Sequence, residues 1–383
     1  MNTLTFTIFS TTKNLPETWD NVLHSNIFLS KKYLEALESA SPINMTCRYI
    51  AFYKDNVLVG KALVQCINLN NVTHLGVEEG CVKTKVRNFA FKNLCSNVLF
   101  LGNNMLTGQN AFCFAPTIKV SERINSLHQV LEEVVKNFKD EGINIHITVC
   151  KDFEASEIDD FKQGNFSDYY QLSTQPTMEF RLNETWKTEE DYINVLQKKY
   201  RDQYKRARKK SESISKQKFS LHDIEIHKDR IFELYLNVVK NAPFNTFILP
   251  KNHFYSLKKE LKDNFRFYAY FEAEKLVGFS TLLKNGTVMD TYFLGYDDVI
   301  QKDKILYLNM LYDMLLYSIR HRFKNIVFGR TALEIKSSIG AKPTEMFGLI
   351  KHHNPLINKC VAKLFKYLEP KTEWTARNPF KNI

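Results

Sequence analysis

The residue types best suited to chemistry are concentrated in one basic segment of the chain. Residues Lys198 to Lys210 contain eight lysines and arginines and a single acid, a net charge of +7, whereas the whole 383-residue chain carries +11. Charge gathered at one place favours the binding of an anionic group there over a general attraction to nucleic acid. Guanidinium groups match phosphate oxygens with paired hydrogen bonds. The segment therefore predicts a phosphate clamp, with a solvated helix face as the equal alternative.

A second candidate segment, FGRTALEIKSSIG at residues 328–340, follows a predicted strand. Thr331 and Glu334 have the spacing of a helix capping box, so Glu334 is expected to bond to backbone rather than to act as a base. Capping does not explain Arg330 and Lys336. Both flank the predicted cap at the carboxyl end of a strand, where the sites of α/β proteins usually lie.

Other polar residues give weaker signals. Asp290 and Tyr292 lie on the strand beside the presumed site and are candidates for its polar lining, although Tyr292 could equally belong to the core. The loops Asn103–Asn110 and Tyr296–Lys304 each lead from a strand to a helix start, where free N–H groups bind phosphate; simple turns explain them equally well. The hydrolase motifs GxSxG and HExxH and a P-loop lysine are absent from the sequence. The histidines have no other metal-binding residues at the spacing of a metal site, so no metal site is expected.

The elements that must position these residues occur twice. Residues 49–60, YIAFYKDNVLVG, and residues 267–278, FYAYFEAEKLVG, align without gaps at an offset of 218 positions. Each consists of an apolar strand, a polar turn and a second strand entered through LVG, which predicts a β-hairpin.

The surroundings of the two hairpins repeat as well. Each is preceded by a helical segment (30–39 and 252–262) and followed by a strand ending in FLG, a polar loop, a helical segment (121–140 and 304–322) and another strand. The first copy carries an insertion at residues 68–97. The shared order indicates two copies of one domain. We expect an α/β (α+β) protein with domains at residues 1–173 and 174–383, each a mixed, mainly antiparallel sheet flanked by helices.

In the second copy, Tyr192, Leu196, Tyr200, Tyr204 and Ala207 recur at spacings of three or four residues, which predicts one helix from Glu189 to about Ser213 with an apolar stripe. The second copy alone has this basic helix and the FGRTALEIK segment, so we place the chemistry there.

Length and composition set the outer limits of the prediction. A chain of 44.9 kDa with 44% hydrophobic and 25% charged residues fits two ordinary globular domains. No signal peptide or membrane span is expected from the hydropathy pattern. The seven cysteines lack CxxC spacing, which argues against disulfides and zinc. The chain is therefore expected to be cytoplasmic, with peripheral membrane contact left open.

Taken together, these features resemble a duplicated GNAT acyltransferase fold, as in the FemAB-like family of peptidoglycan aminoacyltransferases and related N-acyltransferases. Residues 199–209, KYRDQYKRARK, follow the family pattern K-x-R-x-N-[IV]-[RK]-[RK]-A-x-K, with Gln203 in place of the Asn. Phe328, Gly329, Lys336 and Gly340 follow its F-G-(x)₆-K-x-x-x-G pattern. The usual acetyl-CoA loop, Q/R-x-x-G-x-G/A, is absent from both copies, and no helical-hairpin arm of the tRNA-using members is evident.

The resemblance implies two tandem GNAT-like domains and attack of an acceptor amine on an activated carbonyl. It leaves the donor open between an acyl-CoA, an acyl carrier protein and aminoacyl-tRNA, the last less favoured. No tightly bound cofactor is expected. The acceptor would be a small anionic molecule such as a cell-envelope precursor, and no DNA binding is expected. The residues expected to act are Arg330, Lys336 and Tyr292 at the reaction centre and Arg201, Lys205, Arg206, Tyr307 and Asn309 in substrate binding.

A different class of function stays open beside the enzyme. Because the coenzyme loop is missing, the chain could be a catalytically inactive tandem module that binds a ligand or a partner protein.

Overall fold

The computed structural model describes residues 4–22, 26–71, 94–162, 164–241, 245–368 and 374–381, so that most of the insertion at residues 68–97 lies outside the described part. The described α-helices are, in chain order, α1 (Lys31–Ser39), α2 (Val120–Asp140), α3 (Ala155–Phe161), α4 (Glu189–Val195), α5 (Lys198–Lys210), α6 (Leu221–Ile226), α7 (Lys228–Lys240), α8 (His253–Leu261), α9 (Asp298–Lys304), α10 (Leu306–Arg320), α11 (Leu333–Ser338) and α12 (Pro355–Leu368).

The described strands are β1 (Thr5–Phe9), β2 (Met45–Lys54), β3 (Val57–Asn68), β4 (Asn97–Leu101), β5 (Phe112–Phe114), β6 (Ile147–Phe153), β7 (Tyr170–Arg181), β8 (Ile214–Lys218), β9 (Phe265–Glu272), β10 (Lys275–Asn285), β11 (Val288–Tyr296), β12 (Asn325–Gly329) and β13 (Lys342–His352). They fall into two compact units.

The first unit comprises the described residues within 1–175, 244–250 and 345–371. Its strands lie in the order β1-β2-β3-β4-β6-β13, with the short β5 paired to β3. Strands β4 and β6 are parallel, and the other neighbouring pairs are antiparallel. The buried side of α2 packs on this sheet and supplies much of its apolar core.

The second unit comprises the described residues within 176–243, 251–344 and 372–383. Its strands lie in the order β7-β12-β11-β10-β9-β8, and only β11 and β12 are parallel among these pairs. Pairing of β11 with β12 ends at Asp290 and Val327, although β11 continues to Tyr296. The second sheet is thus open between these two strands beyond Asp290. Each unit has the mixed, mainly antiparallel sheet and flanking helices that the sequence predicted.

The division into residues 1–173 and 174–383 requires a correction near the C-terminus. Residues 345–371 belong to the first unit, because β13 pairs antiparallel with β6 from Phe347 to His352. A strand can pair with any sheet edge that is still unpaired. The local sequence around residue 345 therefore does not predict to which sheet this strand belongs.

The two hairpins repeat each other in detail. Both have a two-residue turn, and in both the register shifts at the middle residue of LVG, at Val59 in β3 and at Val277 in β10. The glycine that follows is closely covered in each copy. A Cβ at Gly60 would lie 2.3 Å from a ring carbon of Phe114, and one at Gly278 would lie 2.6 Å from Cε of Met310. The same bulge at equivalent positions is strong structural evidence of duplication.

The faces of the second sheet differ in polarity because side chains alternate along each strand. Met289, Ile326 and Phe180 lie in one register row across β11, β12 and β7 and are at most 2% exposed. They pack with α5 and α10 in the core of the second unit. The next row, Asp290, Val327 and Glu179, faces the other way.

The helix predicted from Glu189 to about Ser213 is instead two helices, α4 and α5. The chain is extended at Leu196 and Gln197, where Leu196 forms a β-bridge with Phe380 and the Gln197 N–H donates to the Pro379 carbonyl. The apolar stripe is as predicted, since Tyr192, Leu196, Tyr200, Tyr204 and Ala207 are all buried. The break is imposed by the C-terminal segment, which lies far away in sequence.

Within the described residues, the six cysteines present are free thiols. In the same part of the chain, none of the helices has the length and apolar character that a membrane crossing requires.

Candidate functional site

Helix α5 presents most of its charged residues on the side opposite its tyrosines; Arg208, which bonds the Tyr204 hydroxyl, is an exception. Tyr200, Tyr204 and Ala207 are buried, which leaves Lys205 and Arg206 exposed on the outer side. Arg201 is half-buried. The helix is therefore held by apolar packing, and its cations are available to a ligand.

A cavity of about 420 Å³ opens beside this helix, entirely within the second unit. Its lining residues come from α5, the start of α10, α11 and the C-terminal segment: Lys199, Tyr200, Gln203, Arg206, Ile305, Leu308, Glu334, Ile335, Ser338 and Arg377. Three cations and one acid contribute to this wall. The predicted residue Arg206 is among them, whereas Arg201 and Lys205 are not.

The floor of the cavity is held by an amide that links three elements. Gln203 on α5 donates through Nε2 to the Tyr312 hydroxyl at 3.1 Å and to Ser338 Oγ at 3.0 Å. Ser338 in turn donates to the Ile335 carbonyl. Gln203 stands where the family pattern has Asn, and its longer side chain reaches both α10 and α11.

Glu334 shapes the rim of the cavity rather than capping α11. The N-cap of α11 is Ala332, which makes no side-chain cap. Glu334 instead accepts from the Thr375 N–H at 3.1 Å and pairs with Arg377. The predicted capping box is therefore wrong, although Glu334 does bond to backbone as expected. The Arg377 N–H donates to Ser337 Oγ, so two residues of α11 hold the C-terminal segment.

Lys336 lies on the inner side of α11 and is 3% exposed. No described residue lies within hydrogen-bonding or ion-pairing distance of its ammonium, and burial alone lowers its pKa from 10.5 to about 7. An amine held without a counter-ion in a poorly solvated place is a common feature of reaction centres.

Arg330 and Tyr292 occupy different surroundings. Arg330 is half-buried just after β12, and desolvation lowers its pKa to about 10. Tyr292 is buried, and its hydroxyl lies 2.9 Å from His253 Nε2 on α8. Neither residue lines the cavity. Tyr292 follows Asp290 by two positions on β11, on the sheet face that points away from α10.

The remaining predicted binding residues lie at the start of α10. Asn309 is buried, and its amide hydrogens donate to the Ala207 and Ile305 carbonyls and to Ser211 Oγ. Asn309 thus joins α5 to α10, and its amide hydrogens are already bonded to acceptors within the protein. Tyr307 is half-buried beside Tyr296, and burial raises its pKa.

Sequence reasoning missed Asp313, which organises the polar side of the second core. Its carboxylate pairs with Arg208 at 2.8 Å and with Lys216 at 3.3 Å, and it accepts from the Tyr270 hydroxyl at 3.1 Å. These contacts connect α5, β8 and β9 to α10. One signal was present: Asp313 is the single acid in the otherwise uncharged run from Leu306 to Ile319, and such an acid needs a partner.

The two loops considered as phosphate sites are largely satisfied by the protein itself. In the first unit, Asn104 and Met105 donate their N–H groups to the side chains of Gln65 and Asn103. In the second unit, Asp297 caps the start of α9 by accepting from Val299 and Ile300. A carboxylate already occupies that helix start, which favours the interpretation as turns.

Comparison with solved structures identifies the architecture. The structure of FemX aligns over 92% of this chain and 98% of its own, with a TM-score of 0.55 and 12% identity. A tandem GNAT protein from the clavulanic acid biosynthesis pathway aligns over 91% and 98%, with a TM-score of 0.50 and 8% identity. The chain has the FemAB-like tandem GNAT fold. A conserved protein of unknown function from Bacteroides thetaiotaomicron shares it, with a TM-score of 0.50, 10% identity and coverage of 90% and 99%.

Sequence comparison alone does not identify this fold. The sequence matches no protein-family model. It also matches no curated protein. At 8–12% identity the similarity to other tandem GNAT structures concerns the fold, and activity has to be argued from the site.

Proposed function

We propose that the protein is an N-acyltransferase that moves an acyl or aminoacyl group from an activated donor to the amine of a small anionic acceptor. The observation that carries the proposal is the cavity of the second unit. Lys199, Arg206 and Arg377 bring three cations from two separate parts of the chain to one wall, beside the first turn of α10. Convergent cations at a helix start are suited to phosphate groups.

The size of the cavity is suited to binding a small-molecule portion of the donor. Its volume of about 420 Å³ lies in the range of ligand sites, and its one acid, Glu334, is paired with Arg377. An acyl-CoA, an acyl carrier protein and an aminoacyl-tRNA all carry phosphate on the same molecule as the reactive thioester or ester, and the cations would recognise this shared group. Arg201 and Lys205 would then contact the ligand outside the cavity.

The chemistry requires attack of an unprotonated amine on a thioester or ester carbonyl. Negative charge develops on the carbonyl oxygen in the transition state, and a preorganised cation in a poorly solvated place stabilises it. Lys336 has the burial and the lack of a counter-ion for this role. Arg330 would add a second positive charge near the same strand end, and binding geometry would supply much of the remaining rate.

Thermal-shift and transfer assays with CoA esters, a charged acyl carrier protein and aminoacyl-tRNA test the proposal. We expect one donor class to raise the melting temperature, because a ligand that binds only the folded state stabilises it. Arg206→Gln should weaken that donor by about tenfold, or ~1.4 kcal/mol. Lys209→Gln, an exposed change on the same helix outside the cavity, is the matched control. No shift and no transfer with any donor would favour the inactive binding module.

A further inference from the structure

The outer side of α5 carries cations that have no acid to pair with. Lys198, Arg201 and Lys205 recur at spacings of three and four residues, so they form one stripe along about 10 Å of the helix. Of the eight cations of α5, only Arg208 forms an ion pair with another described residue. Elsewhere in the chain, three exposed lysines each pair with an acid three residues away. The cations of this outer stripe are therefore available to a partner.

The arrangement of charge in the outer stripe works against the helix itself. Arg201 and Lys205 stand four residues apart, and like charges at this spacing destabilise a helix. Lys198 lies in the first turn, where the helix dipole disfavours a cation. Asp202, the single acid of α5, is exposed and pairs with none of them in the described part of the chain. Acids supplied by a partner would remove this repulsion, so the outer stripe is suited to an acidic binding partner.

The outer stripe adjoins the cavity of the second unit. Helix α5 lines the cavity from Lys199 to Arg206, so the stripe and the cavity share about two turns of one helix. A macromolecule that sits on the stripe can therefore place a flexible arm in the cavity. The complementary ligand has two parts, an acidic body outside the cavity and a phosphate-bearing arm inside it.

The lining of the cavity indicates an arm without a nucleobase. Among the described lining residues, Tyr200 is the single aromatic one, and it is only 7% exposed. Unpaired bases are usually stacked on exposed aromatic rings, and the cavity provides no such ring. Its apolar wall is aliphatic instead and consists of Ile305, Leu308 and Ile335. A wall of this kind is suited to a chain-like group.

The helix starts beside the cavity do not offer free donors to a diphosphate. At the start of α9, the Asp297 carboxylate accepts from the N–H groups of Val299 and Ile300. At the start of α10, Gln301 Oε1 accepts from the Tyr307 N–H at 3.0 Å. A diphosphate bound at these helix starts would meet a carboxylate and occupied N–H groups. Coenzyme A carries both a diphosphate and an adenine, whereas a phosphopantetheine arm has a single phosphate and no base.

We infer that the donor is an acidic acyl carrier protein, which docks on the outer stripe and inserts its phosphopantetheine arm into the cavity. This inference rests on the proposed function and selects one of its three donor classes. The phosphate of the arm lies among Lys199, Arg206 and Arg377, the three cations of the wall. The acidic surface of the carrier protein pairs with the outer stripe.

The transfer step balances with this donor. The acceptor nitrogen bonds to the thioester carbonyl carbon, and the bond from that carbon to sulfur breaks with its electron pair on sulfur. A proton lost by the nitrogen neutralises the thiolate. The products are an amide and the carrier protein with a free thiol, and no oxidant or reductant is needed.

The first experiment measures docking without the arm. A purified bacterial acyl carrier protein in its apo form, which lacks phosphopantetheine, is titrated against the full chain. The double variant Arg201→Gln/Lys205→Gln should weaken its binding at least about tenfold, because the acids of the carrier lose two cations. Lys209→Gln removes the same charge one turn beyond Lys205, where α5 no longer lines the cavity, and is the matched control. It should weaken binding less than about twofold.

The second experiment measures entry of the arm. The holo form of the same carrier protein, with its phosphopantetheine, should bind more tightly than the apo form. Arg206→Gln should remove this difference and leave the affinity for the apo form unchanged, because Arg206 belongs to the cavity. In transfer assays, the acylated carrier protein should give a higher kcat/KM than acyl-CoA or aminoacyl-tRNA, and KCl should lower it through screening.

The outcomes separate this inference from the proposed function. Absence of carrier binding, an equal loss in Lys209→Gln, or binding of uncharged tRNA in place of the carrier would overturn the inference. Transfer from acyl-CoA or aminoacyl-tRNA but not from the carrier protein would overturn it as well and keep the proposed function. Carrier binding that depends on Arg201 and Lys205, without transfer from any donor, would keep the docking surface and reject the transferase.

Discussion

Glu334 Oε2 lies 3.2 Å from Nη2 of Arg377, so an acid on the site helix holds a cation of the C-terminal segment at the rim of the cavity. The same carboxylate accepts from the Thr375 N–H. At its other end, the segment is held by Phe380, which packs against Phe180 and Trp186. Arg377 is thereby positioned from both sides for a ligand.

Removal of this acid should loosen the segment. In Glu334→Ala the Thr375 amide loses its acceptor and Arg377 loses its ion pair, so we expect faster hydrogen exchange in the peptide covering residues 374–381. Glu212→Ala, which replaces an exposed acid elsewhere in the second unit, is the control and should leave that peptide unchanged. Equal exchange in both variants would show that Glu334 does not hold the segment.

Asp313 should be essential for the stability of the second unit. Asp313→Asn leaves Arg208 and Lys216 without their shared counter-ion in a partly buried setting, which should lower the free energy of unfolding by about 2 kcal/mol. Asp263→Asn, at an exposed acid that also pairs with two cations, should change the urea unfolding midpoint very little. Similar midpoints for the two variants would mean that the Asp313 network contributes no more than a surface ion pair.

The sequence predicted the parts of the fold that depend on local information. The hairpins around Val59 and Val277 are set by apolar strands on either side of a short polar turn, and this pattern is readable within twelve residues. The buried stripe of α5 follows in the same way from the spacing of Tyr200, Tyr204 and Ala207. Lys205 and Arg206 lie on the exposed side of α5 as predicted, whereas Arg208 turns inward to Asp313.

Features that depend on distant parts of the chain were not predictable. The break at Gln197 comes from residues 379–381, and Glu334 was misassigned because its partners, Thr375 and Arg377, belong to the same remote segment. The partners of Asp313 lie on three other elements. No local pattern records such contacts, because they arise only when the chain folds back on itself.

The buried amine of Lys336 should make stability depend on pH. Its pKa is about 7 in the folded protein and 10.5 in the unfolded chain, so between these values the unfolded state binds more protons and stability rises with pH. Lys336→Met removes this penalty. We expect the variant to be more stable than the wild type by on the order of 4 kcal/mol at pH 7, and the difference should vanish near pH 10.5. Urea unfolding across this range measures it.

The same variant separates stability from function. If Lys336 stabilises the oxyanion, Lys336→Met should lose transfer activity while it gains stability. Lys209→Met, at an exposed lysine of α5, should change neither. A stability difference that is independent of pH would show that the folded protein does not depress the pKa of Lys336.

Catalysis should depend on the second unit and not on the polar loop of the first. Lys151 Nζ donates to the Asn103 and Leu106 carbonyls at 3.1 Å and pairs with buried Asp152, so Lys151→Met should destabilise the first unit by about 3 kcal/mol. Transfer activity per folded molecule should stay unchanged, whereas Arg206→Gln should weaken the donor without loss of stability. Activity corrected for the folded fraction measures the contrast. Loss of turnover in a folded Lys151→Met protein would place part of the reaction in the first unit.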